Sequence, residues 1–172
     1  MRLVTLNEVS SKEPFDCGDP DLNGFFIDDA ENYQNQMLAK TFVLIEDDGK
    51  IIAYFSLLND KISHTTIEKN LWRKVKGKFP HDKHMGSYPA VKIGRLAVSL
   101  EYRGRNLGSG LISAVKQILI NNESVSACRF LTVDAYKEAL PFYQKNEFKF
   151  LVNDIENCEF TVPMYYDLMQ LK

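Results

Sequence analysis

The sequence has few cysteines, and none of them are in a paired spacing. Cys17, Cys128 and Cys158 are odd in number and far apart along the chain. Small secreted proteins that depend on disulfides have even numbers of cysteines at short spacings, so we expect three free thiols, in or near the core, in a reducing compartment. His81 and His84 are spaced like metal ligands, but no matching cysteine or carboxylate cluster accompanies them. We therefore predict no metal.

Long hydrophobic runs are also missing. The longest, Ile51 to Leu58, contains Ser56 and is far shorter than the about 20 residues that cross a bilayer. The segment from Met1 to Glu8 lacks the apolar centre of a signal peptide. We therefore expect a cytoplasmic protein that does not enter the membrane.

An excess of charge of either sign is lacking too. The chain has 21 Lys and Arg against 23 Asp and Glu, which gives a net charge of −2. Such a chain has no global attraction to nucleic acid or anionic membrane, so a polyanionic partner would need a local basic patch. Its 172 residues, 45% of them hydrophobic, are enough for one sizeable core. A single domain over residues 1–172 is the simplest prediction.

A strand, a glycine-rich loop and a helix follow one another near the middle of the chain. The run from Val91 to Val98 is short and rich in β-branched residues, as in a buried strand, and Ser99 ends it. After the loop, apolar residues recur at helical spacing, with polar residues on the other face; they are Leu111, Ile112, Val115, Ile118 and Leu119. The loop from Arg103 to Gly110 reads Arg-Gly-Arg-Asn-Leu-Gly-Ser-Gly.

This loop has the chemistry of a phosphate-binding segment. Gly104, Gly108 and Gly110 let the backbone turn sharply and come close to a ligand. The helix that follows offers unpaired N–H groups and a positive dipole end to an anion. Arg103 and Arg105 add mobile positive charge. The loop is therefore expected to hold a phosphate chain.

The amino-acid sequence of the loop excludes several phosphate-binding motifs and one catalytic motif. A P-loop requires Gly-Lys followed by Ser or Thr, whereas Leu111 follows Gly110. A dinucleotide-binding fingerprint would need a third glycine where Ser113 stands. No serine-hydrolase elbow fits around Ser109.

The pattern that remains is Arg105-x-x-Gly108-x-Gly110. It resembles the acetyl-CoA pyrophosphate loop of the GNAT N-acetyltransferases, whose signature is Gln or Arg, two residues, Gly, one residue, then Gly or Ala. Residues 130–133 and 139–148 resemble the GNAT strand and helix that follow, which end in Phe-Tyr-x-x-x-Gly-Phe. Glu147 stands where the family usually has glycine, and Asn146 is the candidate for the left-handed capping position instead.

The order of the other elements predicts an α/β fold. A first strand covers residues 2–6, and Asp19 and Pro20 mark a helix start. The two apolar runs 41–45 and 51–58 flank a turn with Asp-Gly at its centre, which is a strong hairpin signal. A closing strand is expected at 160–168. In the helix after Pro20 we expect a largely core-facing apolar stripe of Leu22, Phe25, Phe26, Ala30 and Tyr33.

The whole layout resembles the single-domain GNAT fold, with a mixed, mostly antiparallel sheet flanked by helices. The segment 59–90 is longer than a minimal GNAT core requires. It carries several basic residues with Trp72 and Phe79 between them: Lys69, Arg73, Lys74, Lys76, Lys78 and Lys83. One interpretation is a solvated helix and loop pinned by the two aromatic residues. The other is a nucleic-acid patch.

A closer resemblance is to the toxin branch of the GNAT family. It is carried by segments 15–22, 93–98, 133–135 and 161–165 and by the insertion before Ile93. Members of that branch acetylate the amino group of aminoacyl-tRNA and are paired with a small ribbon-helix-helix antitoxin. The resemblance implies acetyl-CoA as cosubstrate, an amine acceptor, and tRNA and such an antitoxin as partners. A homodimer is left open.

The resemblance also implies a direct transfer, in which the acceptor amine attacks the thioester. The implied residues that bind the cofactor are Leu96, Ala97 and Val98 for the pantetheine arm and Arg103, Gly104, Arg105, Asn106, Leu107, Gly108, Ser109 and Gly110 for the pyrophosphate. Tyr143 is the implied proton donor to the departing thiolate; the alternative is that it packs beside Phe142 and Phe148. No general base is assigned among Asp134, Glu138 and the three histidines.

Other functions stay open. The acceptor is the amino group of aminoacyl-tRNA in a toxin, or else a small amine, a polyamine or a protein. A different class of function is a catalytically weak acyl-CoA-binding or regulatory module. Intact Arg105, Gly108, Gly110 and Tyr143 argue against such decay.

Overall fold

The structure is a computed structural model, and it describes residues 1–9, 15–79, 85–121 and 126–172. The described residues contain seven strands whose hydrogen-bonded order is β1-β2-β3-β4-β5-β7-β6. Their bounds are β1 (Arg2–Thr5), β2 (Lys40–Ile45), β3 (Ile51–Ser63), β4 (Ser87–Val98), β5 (Phe130–Tyr136), β6 (Lys149–Phe150) and β7 (Thr161–Asp167). The predicted α/β class, with a mostly antiparallel sheet and flanking helices, is confirmed.

Five α-helices accompany the strands within the described ranges: α1 (Pro20–Gly24), α2 (Ala30–Asn35), α3 (Lys69–Lys76), α4 (Leu107–Asn121) and α5 (Leu140–Lys145). A π-helical segment, Phe25–Asp29, joins α1 to α2. None of the helices in these ranges is long and apolar enough to cross a membrane.

The chain divides into two compact units. The first consists of Met1–Asn59 and Ile93–Ala114, and the second of Asp60–Lys92 and Val115–Lys172. The strands β3 and β4 and the helix α4 each contribute residues to both units. The single-domain interpretation of the sequence stays a prediction.

The first unit begins with the elements that the local sequence signals indicate. The Asp19 side chain accepts hydrogen bonds from the N–H groups of Asp21 and Leu22, and Pro20 opens α1, as predicted. The predicted hairpin is β2 paired antiparallel with β3, with Phe42 opposite Phe55. Strand β1 adds to the other edge of β2.

The core of this unit surrounds Tyr54, which is fully buried. The Tyr54 ring stacks on Phe26 at 4.6 Å and meets Phe15 edge-on at 5.4 Å. Its hydroxyl donates to the carbonyl of Leu22 at 2.6 Å. The predicted apolar stripe is confirmed for Phe25, Phe26 and Ala30, which are buried.

Tyr33 is 42% exposed, so the extension of the core stripe to this residue is wrong. The physical reason is the π-helical segment before it. A π-helix takes more residues per turn than an α-helix, so residues after it no longer keep the 3.6-residue phase on which the stripe was based.

The second unit is organised by β5, β7 and α3. Strands β5 and β7 pair antiparallel over their whole length, with Thr132 opposite Tyr165. Trp72 and Phe79 stack on Tyr88 with ring centroids 5.3 and 4.0 Å away. The aromatic residues therefore hold α3 and Phe79 against Tyr88, as the first interpretation of residues 59–90 expected.

That segment is less irregular than the sequence indicated. Strand β3 continues to Ser63 and β4 begins at Ser87, so both ends of the segment belong to strands. Lys83, His81 and His84 lie outside the described residues. The three cysteines are free, with Cys17 buried and the other two half-buried, as predicted.

Candidate active site

The glycine-rich loop is a tight turn that leads into α4. Gly104 has φ +77° and Asn106 has φ +58°, so two residues take the left-handed conformation. Asn tolerates that conformation better than most residues with a Cβ. Helix α4 begins at Leu107, and the N–H of Gly110 donates to the carbonyl of Asn106 at 3.2 Å. The second half of the predicted loop is therefore the first turn of the helix.

The loop leaves open space where a ligand would approach. A Cβ atom added at Gly104 or at Gly110 would meet no atom within 4 Å other than those of the adjoining backbone. The first N–H groups of an α-helix have no acceptor inside the helix, and the helix dipole places partial positive charge there. This arrangement fits a phosphate group on chemical grounds.

Both arginines of the loop are held by neighbouring groups. The guanidinium of Arg103 donates a short hydrogen bond to the carbonyl of Cys17. Arg105 lies over the Tyr102 ring, with 5.0 Å between its Cζ and the ring centroid. The mobility of these two charges stays a prediction. Both residues remain exposed, so their charge is available at the loop.

The strand before the loop is the end of β4. Ala97 is 4% exposed and belongs to the core of the first unit, whereas Leu96 and Val98 are half-buried. The strand ends at Val98, as predicted, and the N–H of Ser99 donates to the carbonyl of Ile52 at 2.9 Å. A Cβ at Gly94 would lie 2.6 Å from Leu58 Cδ2, so a larger residue there would require the Leu58 side chain to shift.

Arg95 was missed by the sequence analysis. Its Nε lies 3.4 Å from Asp21 Oδ2, and its guanidinium lies 5.2 Å from the centroid of Phe25. Its Nη1 also donates to the carbonyl of Gly94 at 3.0 Å. The available signal was a second charged residue, besides Lys92, inside a largely apolar strand. Arg95 is thus a fixed cation one residue before Leu96.

Tyr143 lies on α5 in the second unit, whereas residues Leu96 to Gly110 belong to the first. Its side chain is 7% exposed and meets Phe142 and Phe148 edge-on at 5.0 and 5.3 Å. Burial raises the pKa of Tyr143. The hydroxyl therefore stays protonated at neutral pH, as a hydrogen-bond donor requires. The packing contacts of the alternative interpretation are present as well.

The end of α5 differs from the expectation. Glu147 itself takes the left-handed conformation, with φ +69°, whereas Asn146 has φ −91°. The prediction of a left-handed Asn146 is therefore wrong. The carbonyl of Tyr143 accepts the N–H of Phe148 at 3.0 Å, which places the left-handed residue immediately before Phe148.

Lys116 fixes this helix end from α4. Its Nζ donates to the carbonyl of Asn146 at 3.0 Å and lies 3.7 Å from Glu147 Oε2. The same atom lies 3.4 Å from the centroid of Tyr166. Burial lowers the pKa of Lys116 more than Glu147 raises it. A nearly buried lysine thus contacts both residues at the end of α5.

The candidate bases are engaged or exposed. Asp134 accepts a hydrogen bond from Lys92 at 2.8 Å, and Glu138 is exposed in a short 3₁₀ turn before α5. The ring Nδ1 of His64 lies 2.8 Å from the carbonyl of Gly86. Among the described residues, no three His, Cys, Asp or Glu side chains could together hold a metal ion. For His81 and His84 the absence of a metal stays a prediction.

Comparisons with known proteins agree with this arrangement. The model of the acetyltransferase (GNAT) family matches residues 6–148. A tRNA-acetylating toxin of Mycobacterium tuberculosis is 23% identical over 154 residues, which are 89% of this chain and 85% of that protein.

Solved structures show the same fold. AtaT complexed with acetyl-methionyl-tRNAfMet has a TM-score of 0.79 and 18% identity, and the match covers 99% of this chain and 96% of that one. A mutant AtaT toxin bound to acetyl-CoA and the C-terminus of the antitoxin AtaR has a TM-score of 0.72 and 18% identity, over 99% and 94% of the two chains. Because the family model spans most of the sequence, this chain belongs to the acetyltransferase (GNAT) family, whose acyl donor is acetyl-CoA.

Proposed function

We propose that this protein transfers the acetyl group of acetyl-CoA to the α-amino group of aminoacyl-tRNA and acts as a toxin. The observation that carries the choice of acceptor is the basic surface of α3. The helix has four cations and no acidic residue, and Lys69, Arg73 and Lys74 are exposed. The 23% identical relative is a tRNA-acetylating toxin, which supports the same acceptor.

The loop and the end of β4 are the proposed cofactor site. The backbone of Leu96, Ala97 and Val98 would hold the pantetheine arm, and residues 103–110 would hold the pyrophosphate. The open space at Gly104 and Gly110 supports the second assignment, because phosphate oxygens need close access to backbone N–H groups. Arg103 and Arg105 would supply positive charge to the pyrophosphate. When bound, acetyl-CoA supplies the activated thioester.

Tyr143 is the proposed donor to the leaving group. The amine nitrogen forms a bond to the thioester carbonyl carbon, the carbon–sulfur bond breaks, and the amine proton passes to water. Because burial raises the pKa of Tyr143, a hydrogen bond to the departing thiolate is favoured over full proton transfer. An α-amine with a pKa of about 8 has an appreciable neutral fraction near pH 7, so no strong base is needed.

Only part of the basic segment is available to tRNA in this proposal. The Nζ of Lys78 pairs with Asp167 Oδ2 at 2.7 Å, and the Nε of Arg129 lies 2.8 Å from Asp167 Oδ1. These two cations hold a carboxylate that is 7% exposed, so they serve the fold. The exposed cations of α3 remain for phosphate contacts. Because the whole chain has a net charge of −2, such a local surface has to supply the attraction.

The partners proposed beside tRNA are a small ribbon-helix-helix antitoxin and, for assembly, a second copy of this chain. The AtaT complex with the C-terminus of AtaR supports an antitoxin as partner, without regard to its fold. Co-expression with the protein encoded next to this gene, followed by purification through one partner, tests the antitoxin. Sedimentation of the purified chain tests the homodimer.

A screen of acceptors tests the function itself. Free CoA thiol is measured after incubation with acetyl-CoA and either charged tRNA, uncharged tRNA, a polyamine or a small primary amine. Release with charged tRNA alone, together with acetylated aminoacyl groups, supports the proposal. Release with the polyamine or the small amine but not with charged tRNA refutes it. Acetyl-CoA binding without release for any acceptor would instead indicate a regulatory module.

A further inference from the structure

Residues 16–23, which we call the strap, lie against the start of the glycine-rich loop within the first unit. The N–H of Leu100 donates to the carbonyl of Asp16 at 2.9 Å. A Cβ added at Gly18 would lie 3.2 Å from Leu100 Cδ2 and 3.5 Å from Arg103 Nη2, so the backbone of the strap packs closely on both side chains. The strap therefore contacts the loop at its first residue.

One peptide group of the strap lies between a carboxylate and the guanidinium of Arg103. The N–H of Gly18 donates to Asp16 Oδ1 at 2.7 Å. The carbonyl of Cys17, which belongs to the same peptide group, accepts a hydrogen bond from the guanidinium of Arg103. Because a peptide group is planar, a bond that fixes its N–H also fixes the direction of its carbonyl. Asp16 therefore orients the carbonyl to which Arg103 is bonded.

Asn23 holds the same turn from helix α1. Its Nδ2 donates to Asp16 Oδ1 at 2.9 Å, and its Oδ1 accepts the N–H of Cys17 at 2.9 Å. The N–H of Gly18 and the amide of Asn23 lower the pKa of Asp16, and the charge of Arg103 adds to this effect. Asp16 is therefore ionised at neutral pH. Cys17 is 2% exposed, so the strap is also anchored in the core.

The bond to the strap restricts a side chain that would otherwise have many conformations. Arg103 is exposed, and an exposed arginine has a large rotamer freedom. Its guanidinium has five N–H donors, so one bond to the strap leaves donors for a phosphate oxygen. A side chain that is restricted before a ligand arrives loses less conformational freedom when it binds.

We propose that Asp16 and Asn23 are positioning residues, which act through the Cys17 carbonyl to hold Arg103 where it binds the pyrophosphate of acetyl-CoA. This inference rests on the proposed function, because it takes the loop to be the pyrophosphate site. In this proposal Asp16 and Asn23 do not touch the cofactor themselves. Their effect on the affinity for acetyl-CoA therefore depends on the presence of the Arg103 side chain.

The experiment measures the dissociation constant of acetyl-CoA with the full chain by isothermal titration calorimetry. The stoichiometry reports the folded fraction, so a partial loss of folded protein is not mistaken for weaker binding. Asp16→Asn and Asp16→Ala have the same net charge, but only asparagine offers an oxygen to the N–H of Gly18. Asp16→Ala should bind acetyl-CoA about fivefold more weakly than Asp16→Asn. When each is combined with Arg103→Ala, the two should bind equally.

Asn23→Ala is a second test, and Asn35→Ala, at an exposed position of α2, is its control. Asn23→Ala should weaken acetyl-CoA binding about fivefold, because it removes both hydrogen bonds of the Asn23 side chain. In the Arg103→Ala protein the same substitution should have no further effect. Asn35→Ala should bind like the wild type in both cases. If one strap variant does not fold, the other comparison decides.

Weakening that disappears when Arg103 is removed supports the proposal. Equal weakening with and without Arg103 overturns it, because the strap would then act on the fold of the site as a whole. Tighter binding by Asp16→Ala than by Asp16→Asn also overturns it, since the strap would then hold Arg103 away from the cofactor. If the wild type binds acetyl-CoA and the strap variants match their controls, the strap proposal alone is refuted. If the wild type does not bind acetyl-CoA, the proposed function fails and the strap proposal falls with it.

Discussion

The basic surface of α3 allows a quantitative test of tRNA binding. We consider the simultaneous replacement of Lys69, Arg73 and Lys74 by Ala, called here the α3 variant. These three side chains are exposed, and alanine favours the helix, so the fold should survive. Lys78 is left in place because it pairs with Asp167 at 2.7 Å.

The expected effect follows from counterion release. Each phosphate contact contributes a slope of about 0.7 to 0.9 in log affinity against log salt, so three contacts contribute about 2 to 3. The slope for the α3 variant should therefore be flatter than for the wild type by about 2 to 3. Acetyl transfer to a small free amine, where the wild type supports it, should be unchanged, because the substitutions do not touch the cofactor loop.

Fluorescence anisotropy with labelled charged tRNA, between 50 and 300 mM salt, measures this slope. A control variant with Lys137, Lys145 and Lys149 replaced by Ala has the same net charge, −5 in place of −2. Its slope should stay near that of the wild type. Equal flattening in both variants would show that overall charge, and not α3, governs binding. Absence of tRNA binding by the wild type even at 50 mM salt would refute the acceptor assignment.

Four further predictions concern the loop, the tyrosine, the end of α5 and the pH dependence of stability. Gly108→Glu should abolish the stabilisation by acetyl-CoA, which for the wild type is about 2.7 kcal/mol at a hundredfold excess over the dissociation constant; equal thermal shifts in both proteins would contradict the loop assignment. Tyr143→Phe should keep the ring contacts and the acetyl-CoA affinity but lower kcat by about 100-fold; unchanged turnover, where chemistry limits the rate, would return Tyr143 to packing alone. Glu147→Gly should stabilise the fold by about 0.5–1 kcal/mol, because glycine takes the left-handed conformation without steric cost. This gain exceeds the cost of the larger conformational entropy of the unfolded chain and the loss of a weak contact with Lys116. A lower urea midpoint would show that the Lys116 contact dominates. Burial alone would raise the pKa of Asp167, but the hydrogen bonds from Lys78 and Arg129 hold it below its usual 3.8. The ionised group therefore stabilises the fold above pH 3.8, and this stabilisation is lost as the pH falls through the folded-state pKa. Asp167→Asn should remove this part of the acid-side loss of stability in urea titrations, and an unchanged pH profile would contradict the prediction.

Signals that act within a few residues predicted the fold well. Asp19 and Pro20 mark the start of α1 because a cap and its acceptor lie two or three residues apart. The Asp-Gly turn sets the register of β2 and β3, and Gly49 takes φ +92° there. The loop pattern around Arg105 and Gly108 also depends only on local spacing.

Features that depend on tertiary contacts could not be predicted in the same way. Lys78 looked like the other basic residues of its segment, but a carboxylate 89 positions away pairs with it. Glu147 has a left-handed backbone and lies near Lys116, which is far from it along the chain. No sequence signal within a few residues indicates this contact. Lys92 pairs with Asp134 at 2.8 Å and lies 3.8 Å from Asp60, although both carboxylates are distant from it along the chain. Such contacts form only when the folded sheet brings distant parts of the chain together.

The π-helical segment Phe25–Asp29 amounts to one extra residue threaded into an otherwise regular helical turn. A single deletion within it would let α1 and α2 join as one regular helix, with the later part rotated by about 100° relative to the earlier part. Ala30, now fully buried, would turn away from the core of the first unit, while neighbours that face water would turn toward it. The segment therefore determines which face of α2 is turned toward the core. Deleting one residue from it should destabilise the fold more than adding one residue to an exposed loop.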